Sequence, residues 1–167
     1  MHYLIGSIHY LGNWNFDSPH LLDSWSEIGV AEAWARYWEQ YCAMARSGLF
    51  DFLAHPDLIK KFAHRPEGDL RRFYDPAIEA IAESGCAIEL NTAGWYKPCT
   101  EQYPASDFLT LACRADIPLL INSDAHAPGE VGRDFDRAMS FAMEAGYRET
   151  LLFEKRQKTS LDLTRLS

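Results

Sequence analysis

Four short apolar runs, each followed by polar residues, constrain the fold of this 167-residue chain more than any other feature. The runs are residues 3–8, 49–54, 86–91 and 117–122. They are nearly all apolar, which is typical of strands that are covered on both faces of a sheet. The segments between them carry helical patterns. This alternation predicts one α/β domain over residues 1–167, with a parallel sheet.

The longest predicted helix covers residues 24–46, where aromatic side chains recur at helical spacing and Gly29 marks an interruption. We expect its tryptophans to pack in the core rather than to bind a ligand. Ser106 is predicted to cap a later helix. The other predicted helices, followed by a last and more exposed strand, are residues 58–64, 76–84, 106–114 and 131–145, and then 150–157.

Composition excludes several classes of protein. The net charge of −8 is unsuited to a nucleic-acid interface, which needs a basic face. No apolar run approaches the roughly 20 residues of a membrane span, and the first residues lack the pattern of a signal peptide. The four cysteines are far apart in sequence, so we expect free thiols and a cytoplasmic protein.

Polar side chains follow each predicted strand at its carboxyl end. The first run ends at His9, the second at His55 and the third at Glu89 and Asn91, whereas Asp124 and His126 follow the fourth. Parallel strands bring their carboxyl ends to one rim, where α/β enzymes place their chemistry. Imidazoles and carboxylates there form a ligand set for Zn²⁺, Mn²⁺ or Fe²⁺. If the segment is extended, Asp124 and His126 point to the same side.

Each of these residues also has a structural interpretation. A single histidine at a strand end more often forms a hydrogen bond, and an aspartate before Pro-Gly is often a turn residue. Because three of the four runs end at a histidine, the pattern as a whole favours a metal site. Glu89 either faces the site or forms an internal salt bridge. The other histidines lack this context: His64 is predicted to be at the surface, and His2 and His20 are ambiguous.

Four segments carry a family resemblance: "IGSIHYLGNWNFD", "SGLFDFLAHPDLIKKF", "AIELNTAGWYKP" followed by "YPA", and "NSDAHAPGEVG". Together, and in this order, they resemble the histidinol-phosphatase branch of the polymerase-and-histidinol-phosphatase (PHP) superfamily. The resemblance implies a distorted (β/α)₇ barrel resembling a TIM barrel. It also implies up to three divalent metal ions (Zn, Mn or Fe) and hydrolysis of L-histidinol phosphate to L-histidinol and phosphate in histidine biosynthesis.

Residue by residue, the resemblance assigns His9 and His55 as two histidine ligands. It assigns "NSDAH" as the late pair, so that Asp124 and His126 are both metal ligands and catalytic residues. Asn91 and Lys97 are expected to contact the substrate, a small phosphate ester. The family commonly has arginine, a partner for the phosphate, at the position of Tyr96. Lys97 could bind the phosphate in its place, but only as a point charge.

The resemblance covers only the C-terminal three-fifths or so of the family barrel. The family's His-x-His strand and its bridging glutamate belong upstream of "GSIHY", so a partial barrel that lacks its N-terminal strands is expected. Three hypotheses follow. The chain is an incomplete reading of a histidinol-phosphatase, a truncated phosphoesterase for another ester that a partner or homodimer completes, or a non-catalytic metal-binding remnant.

Overall fold

The computed structural model describes residues 3–165. Six strands and five α-helices follow one another along these residues. The strands are β1 (Ile5–Gly6), β2 (Phe52–Leu53), β3 (Ala87–Asn91), β4 (Leu119–Asn122), β5 (Glu149–Glu154) and β6 (Gln157–Asp162). The helices are α1 (Ser24–Ile28), α2 (Val30–Arg46), α3 (Arg71–Ser84), α4 (Ser106–Arg114) and α5 (Phe135–Ala145).

The first four strands form one parallel sheet in the order β1-β2-β3-β4. The prediction of an α/β fold with a parallel sheet is therefore confirmed. The ladders of β1 with β2 and of β2 with β3 are shorter than the apolar runs. Just before β1, the side chain of Asp51 accepts the backbone N–H of Leu4 at 2.7 Å. The outer strand β1 leaves Tyr3 and Ile5 more than 40% exposed, at 44% and 42%. Closure into part of a barrel stays a prediction.

The last predicted strand is one arm of a hairpin. β5 pairs antiparallel with β6 in a separate two-stranded sheet. The sequence did not indicate β6, because "QKTSLD" is polar and largely exposed. The turn also lacks the Asn-Gly pair that usually indicates a hairpin. Lys155 and Arg156 occupy the turn instead, with positive φ values of 51° and 64°.

Two helix predictions are confirmed in outline. Gly29, with φ of 86°, separates α1 from α2 as expected. The aromatic residues of α2 are buried: Trp34 and Tyr37 are 0% exposed, and Trp38 stacks on Phe108 of α4 with ring centroids 5.2 Å apart. The tryptophans of α2 therefore belong to the core. All four cysteines are free thiols, as predicted.

Several helix boundaries were wrong. α3 begins at Arg71 and contains Pro76, which the sequence placed at its start. Ser106 is the first residue of α4, and Ala105 is its cap. α5 begins at Phe135 rather than at residue 131, because the preceding Asp134 adopts a left-handed φ of 60° that a helix cannot continue through. Short 3₁₀ turns occupy Leu58–Lys60, Thr92–Tyr96, Pro128–Glu130 and Leu163–Arg165.

None of the helices within residues 3–165 is long and apolar enough to cross a membrane.

Candidate functional site

A cavity of about 490 Å³ lies where the segments after the four parallel strands meet. Its wall brings together most of the residues singled out from the sequence. These are His9, His55, Glu89, Lys97, Asp124 and His126. The expectation that polar groups from separate strand ends share one rim therefore agrees with this geometry.

His9 is oriented by a carboxylate. Its Nδ1 lies 3.0 Å from Oδ2 of Asp17, and because a carboxylate only accepts, Nδ1 is the donor. Lys61 also donates to Asp17, both to its side chain and, at 2.9 Å, to its backbone oxygen. Burial alone would raise the pKa of Asp17, but the hydrogen bonds from His9 and Lys61 hold it below its ordinary value. In neutral His9 this arrangement leaves Nε2 as the acceptor nitrogen.

His55 comes two residues after the buried end of β2 and is 7% exposed. Its ring centroid lies 5.0 Å from that of His9. Its Nδ1 is buried and has no hydrogen-bond partner in the described structure. Burial lowers the pKa of His55, which favours the neutral ring that binds metals. Its φ of 24° is also one that few residues other than glycine adopt.

Glu89 is a buried acceptor, 4% exposed, on the cavity side of β3. It accepts the backbone N–H of His55 at 2.7 Å, and the side-chain amides of Asn91 and Asn122 at 3.0 and 2.7 Å. Within the described part of the chain it has no cationic partner, so the internal salt bridge was the wrong alternative. Glu89 instead joins β3 and β4 to the loop that carries His55.

Asp124 and His126 are both exposed at the mouth of the cavity. β4 ends before them, and Asp124 has a left-handed φ of 48°, so the expectation of an extended segment was wrong. The ring of His126 folds back, and its Nδ1 lies 2.8 Å from the carbonyl oxygen of Asp124. A carbonyl only accepts, so Nδ1 donates here too and Nε2 of the neutral ring is left as acceptor.

The two residues expected to contact substrate differ in position. Lys97 lines the cavity. Asn91 is 0% exposed, and its side-chain oxygen accepts the N–H of Ala93 at 2.9 Å while its nitrogen donates to Glu89. The substrate role of Asn91 stays a prediction, and its position favours a structural role.

His20 and His64 are not part of this wall. His64 is half-buried rather than fully at the surface, because its ring stacks on Trp25 with centroids 4.4 Å apart. His20 is exposed, and His2 lies outside the described residues.

Sequence reasoning missed four further residues on the wall, two acidic and two basic. These are Asp17, Lys61, Glu130 and Arg133. Asp17 comes eight positions after His9, and only the folded loop shows that they pair. Glu130 accepts the backbone N–H of His126 at 2.8 Å, which the short spacing between them could have indicated. Arg133 had no signal in the sequence.

The donor chemistry of the cavity fits a divalent metal in part. His9 and His126 each have Nδ1 engaged by an oxygen, the arrangement that commonly orients metal-binding imidazoles, and His55 offers a buried unpartnered nitrogen. Among residues 3–165, however, no three His, Cys, Asp or Glu side chains are grouped closely enough to hold an ion. The described chain thus supplies suitable ligands without a complete cluster.

A parallel sheet with histidines and carboxylates gathered on a cavity beyond its carboxyl ends defines the general class, an α/β protein of enzyme type. The chain is 41% identical, over 155 residues, to a probable histidinol-phosphatase of Deinococcus radiodurans, covering 93% of this chain and 58% of the relative. It is 26% identical to a probable histidinol-phosphatase of Schizosaccharomyces pombe, covering 92% and 54%. The resemblance to histidinol-phosphatases is therefore confirmed.

Solved structures agree on the fold. A Lactococcus lactis histidinol phosphate phosphatase, in complex with zinc, L-histidinol and phosphate, matches with a TM-score of 0.73 and 19% identity over 95% of this chain and 62% of its own. A putative Listeria monocytogenes histidinol phosphatase matches with a TM-score of 0.51 and 22% identity over 62% and 44%. No family profile matches. The chain spans little more than half the length of these curated relatives.

Proposed function

We propose that this chain forms part of a metal-dependent phosphomonoesterase that hydrolyses L-histidinol phosphate to L-histidinol and phosphate. The observation that carries the proposal is the shared cavity, where His9, His55, Asp124 and His126 meet the cationic side chains of Lys61 and Lys97. The relatives named probable histidinol-phosphatases support the choice of substrate. Zinc in the L. lactis structure supports the choice of a divalent ion.

In this proposal His9, His55, Asp124 and His126 are the metal ligands. A divalent ion bound by them would lower the pKa of a coordinated water and draw charge from the phosphate oxygens. Asp17 fixes the ring of His9, and the carbonyl of Asp124 fixes that of His126. Burial lowers the pKa of His55, which favours its neutral ring. These contacts set the nitrogen lone pairs before any ligand arrives, which is how precise sites are built.

The other residues of the wall would act on the substrate and on the shape of the site. The ammonium group of Lys97 would attract the phosphate of an incoming ester, since it lies on the same wall as the proposed ligands. Glu89 would hold the loop of His55 against β3 and β4 through its three hydrogen bonds. Asp124 and His126, exposed at the mouth, are the proposed catalytic pair.

We further propose that the complete site needs residues beyond the described ones, from a distorted barrel of which these four parallel strands would be a part. The absence of a three-donor group within residues 3–165 supports this view. The second candidate function, a metal-binding module without catalysis, is favoured by the imidazoles of His9 and His126, whose Nδ1 atoms are already engaged by oxygens. In this proposal a second copy of the chain is one source of the missing donors.

Metal stoichiometry and phosphate release together test the proposal. After dialysis in metal-free buffer, the chain would be analysed for zinc, manganese and iron, and for its mass by sedimentation. Phosphate release would then be measured from L-histidinol phosphate and from p-nitrophenyl phosphate, with His20→Ala as a matched control for His126→Ala. Tightly held metal with turnover that depends on His126 supports the enzyme. Tightly held metal with no turnover in any metal supports the binding module instead.

A further inference from the structure

Arg133 lies on the cavity wall with only part of its guanidinium hydrogen-bonded. It lies in the loop between the Pro128–Glu130 turn and α5, and its side chain is 25% exposed. Its Nε is buried and has no hydrogen-bond partner in the described structure. The one acidic contact, from Nη1 to Oε1 of Glu130, is long at 3.4 Å. A buried donor without an acceptor is costly. The long contact to Glu130 also leaves the terminal Nη groups of the partly exposed side chain able to turn toward an anionic ligand in the cavity.

The guanidinium is nevertheless held in place by two loops. It lies over the ring of Tyr96, with its central carbon 3.7 Å from the ring centroid. The hydroxyl of Tyr96 donates in turn to Oδ2 of Asp134 at 2.6 Å. The hydroxyl of Thr92 donates to the backbone oxygen of Arg133 at 2.8 Å. The loops after β3 and β4 therefore fix the position of Arg133 without occupying its remaining donors.

We propose that Arg133 is a phosphate-binding residue of this cavity, positioned by stacking on Tyr96. The inference rests on the proposed function, which brings a phosphate ester to this wall. A planar guanidinium offers parallel donors that match two phosphate oxygens, whereas an ammonium group is a point charge. Lys61, which also lines the cavity, is already paired with Asp17, so Arg133 and Lys97 are the cations best placed to meet an anion.

The same contacts also permit a purely structural role, in which Arg133 only ties the two loops together. Arg137 provides a matched control inside the same protein. Its guanidinium carbon stacks on Trp95 at 4.0 Å and lies 5.7 Å from the ring centroid of Phe141, but Arg137 is not on the cavity wall. It shares the stacked environment of Arg133 without access to the proposed ligand.

Protection from arginine modification tests the proposal in the unmutated chain. The protein would be treated with phenylglyoxal, with and without inorganic phosphate, and the modified peptides would be quantified by mass spectrometry. We expect phosphate to slow the modification of Arg133 several-fold and to leave that of Arg137 unchanged. Equal rates at Arg133 with and without phosphate would overturn the proposal.

Calorimetric titration with inorganic phosphate gives the second measurement. Arg133→Met should weaken binding about tenfold to a hundredfold, which is typical of losing hydrogen bonds to a charged group, whereas Arg137→Met should not change it. Thermal unfolding of both variants verifies that they fold. The inference would be wrong if the two variants bound phosphate equally well, or if the original chain did not bind phosphate. Phosphate binding that depends on Arg133, with no ester hydrolysed, would retain Arg133 and reject the proposed function.

Discussion

The two sides of the cavity are built differently. The early side (His9, Asp17, His55 and Lys61) follows β1 and β2, and its residues are buried or half-buried. On this side the carboxylate of Asp17 holds the ring of His9. The late side (Asp124, His126, Glu130 and Arg133) follows β4, and Asp124 and His126 are exposed. There the backbone carbonyl of Asp124 holds the ring of His126.

This difference indicates that the two sides contribute differently to binding. Groups in a less polar environment keep their geometry and feel stronger electrostatic forces, which suits the tight holding of an ion. Groups at an open mouth meet whatever arrives from solvent. We therefore expect changes on the early side to act on stability and metal affinity, and changes on the late side to act on substrate binding as well as on metal affinity.

The largest expected effect concerns the ion pair beneath the early side. Asp57 and Lys60 are both 0% exposed, and Nζ of Lys60 donates to Oδ2 of Asp57 at 2.8 Å. Asp57→Ala would leave the buried ammonium of Lys60 with Glu101 as its remaining carboxylate and the N–H of Ala105 without its acceptor. It should lower the free energy of unfolding by about 3 kcal/mol in urea titrations, because each buried group that loses its partner costs about 1–3 kcal/mol. Asp75→Ala, which removes an exposed pair with Arg71, should cost only about 0–1 kcal/mol. Similar losses would contradict the importance of burial here.

The next effect is on metal content. His55→Ala and His126→Ala should each lower zinc affinity by more than the roughly 10–100-fold typical of losing a residue that only orients a ligand. Elemental analysis after dialysis is the measurement, and His64→Ala is the control because its ring packs on Trp25 instead. If all three variants lost metal equally, the ligand assignment would be wrong.

A smaller effect separates the two sides directly. Asp17→Asn should weaken zinc binding about 10–100-fold, since Asp17 contacts the ring of His9 itself. Glu130→Gln should weaken it less, because Glu130 accepts from the backbone of His126 and not from its ring. Competition with a chromophoric chelator would measure both. The reverse order would overturn the contrast between the sides.

The smallest expected effect is on substrate affinity. Lys97→Met should raise KM for a phosphate ester several-fold with little change in kcat, because it removes one point charge from the wall. Lys158→Met is the control, since Lys158 donates to the carbonyl of Gly85 on another part of the molecule. Steady-state kinetics distinguish the two variants, and an unchanged KM would remove Lys97 from the binding site.

The sequence predicted those features that follow from local patterns of apolar residues. The apolar runs indicated the four parallel strands, and parallel pairing then implied that His9, His55 and His126 approach one rim. The pairing of His9 with Asp17, the stacking of Arg133 on Tyr96 and the left-handed turn at Asp124 depend on loop conformations. No periodicity encodes such conformations, so these parts of the site could not be predicted from the sequence.

The outer strand β1 has a consequence for handling the protein. Within residues 3–165 it pairs only with β2, and Ile5 in the strand and Tyr3 before it are exposed. A strand edge of this kind is a template for pairing with another chain. Self-association should therefore depend on concentration: light scattering should rise more steeply than in proportion as the purified chain is concentrated, and dilute stocks should keep it dispersed.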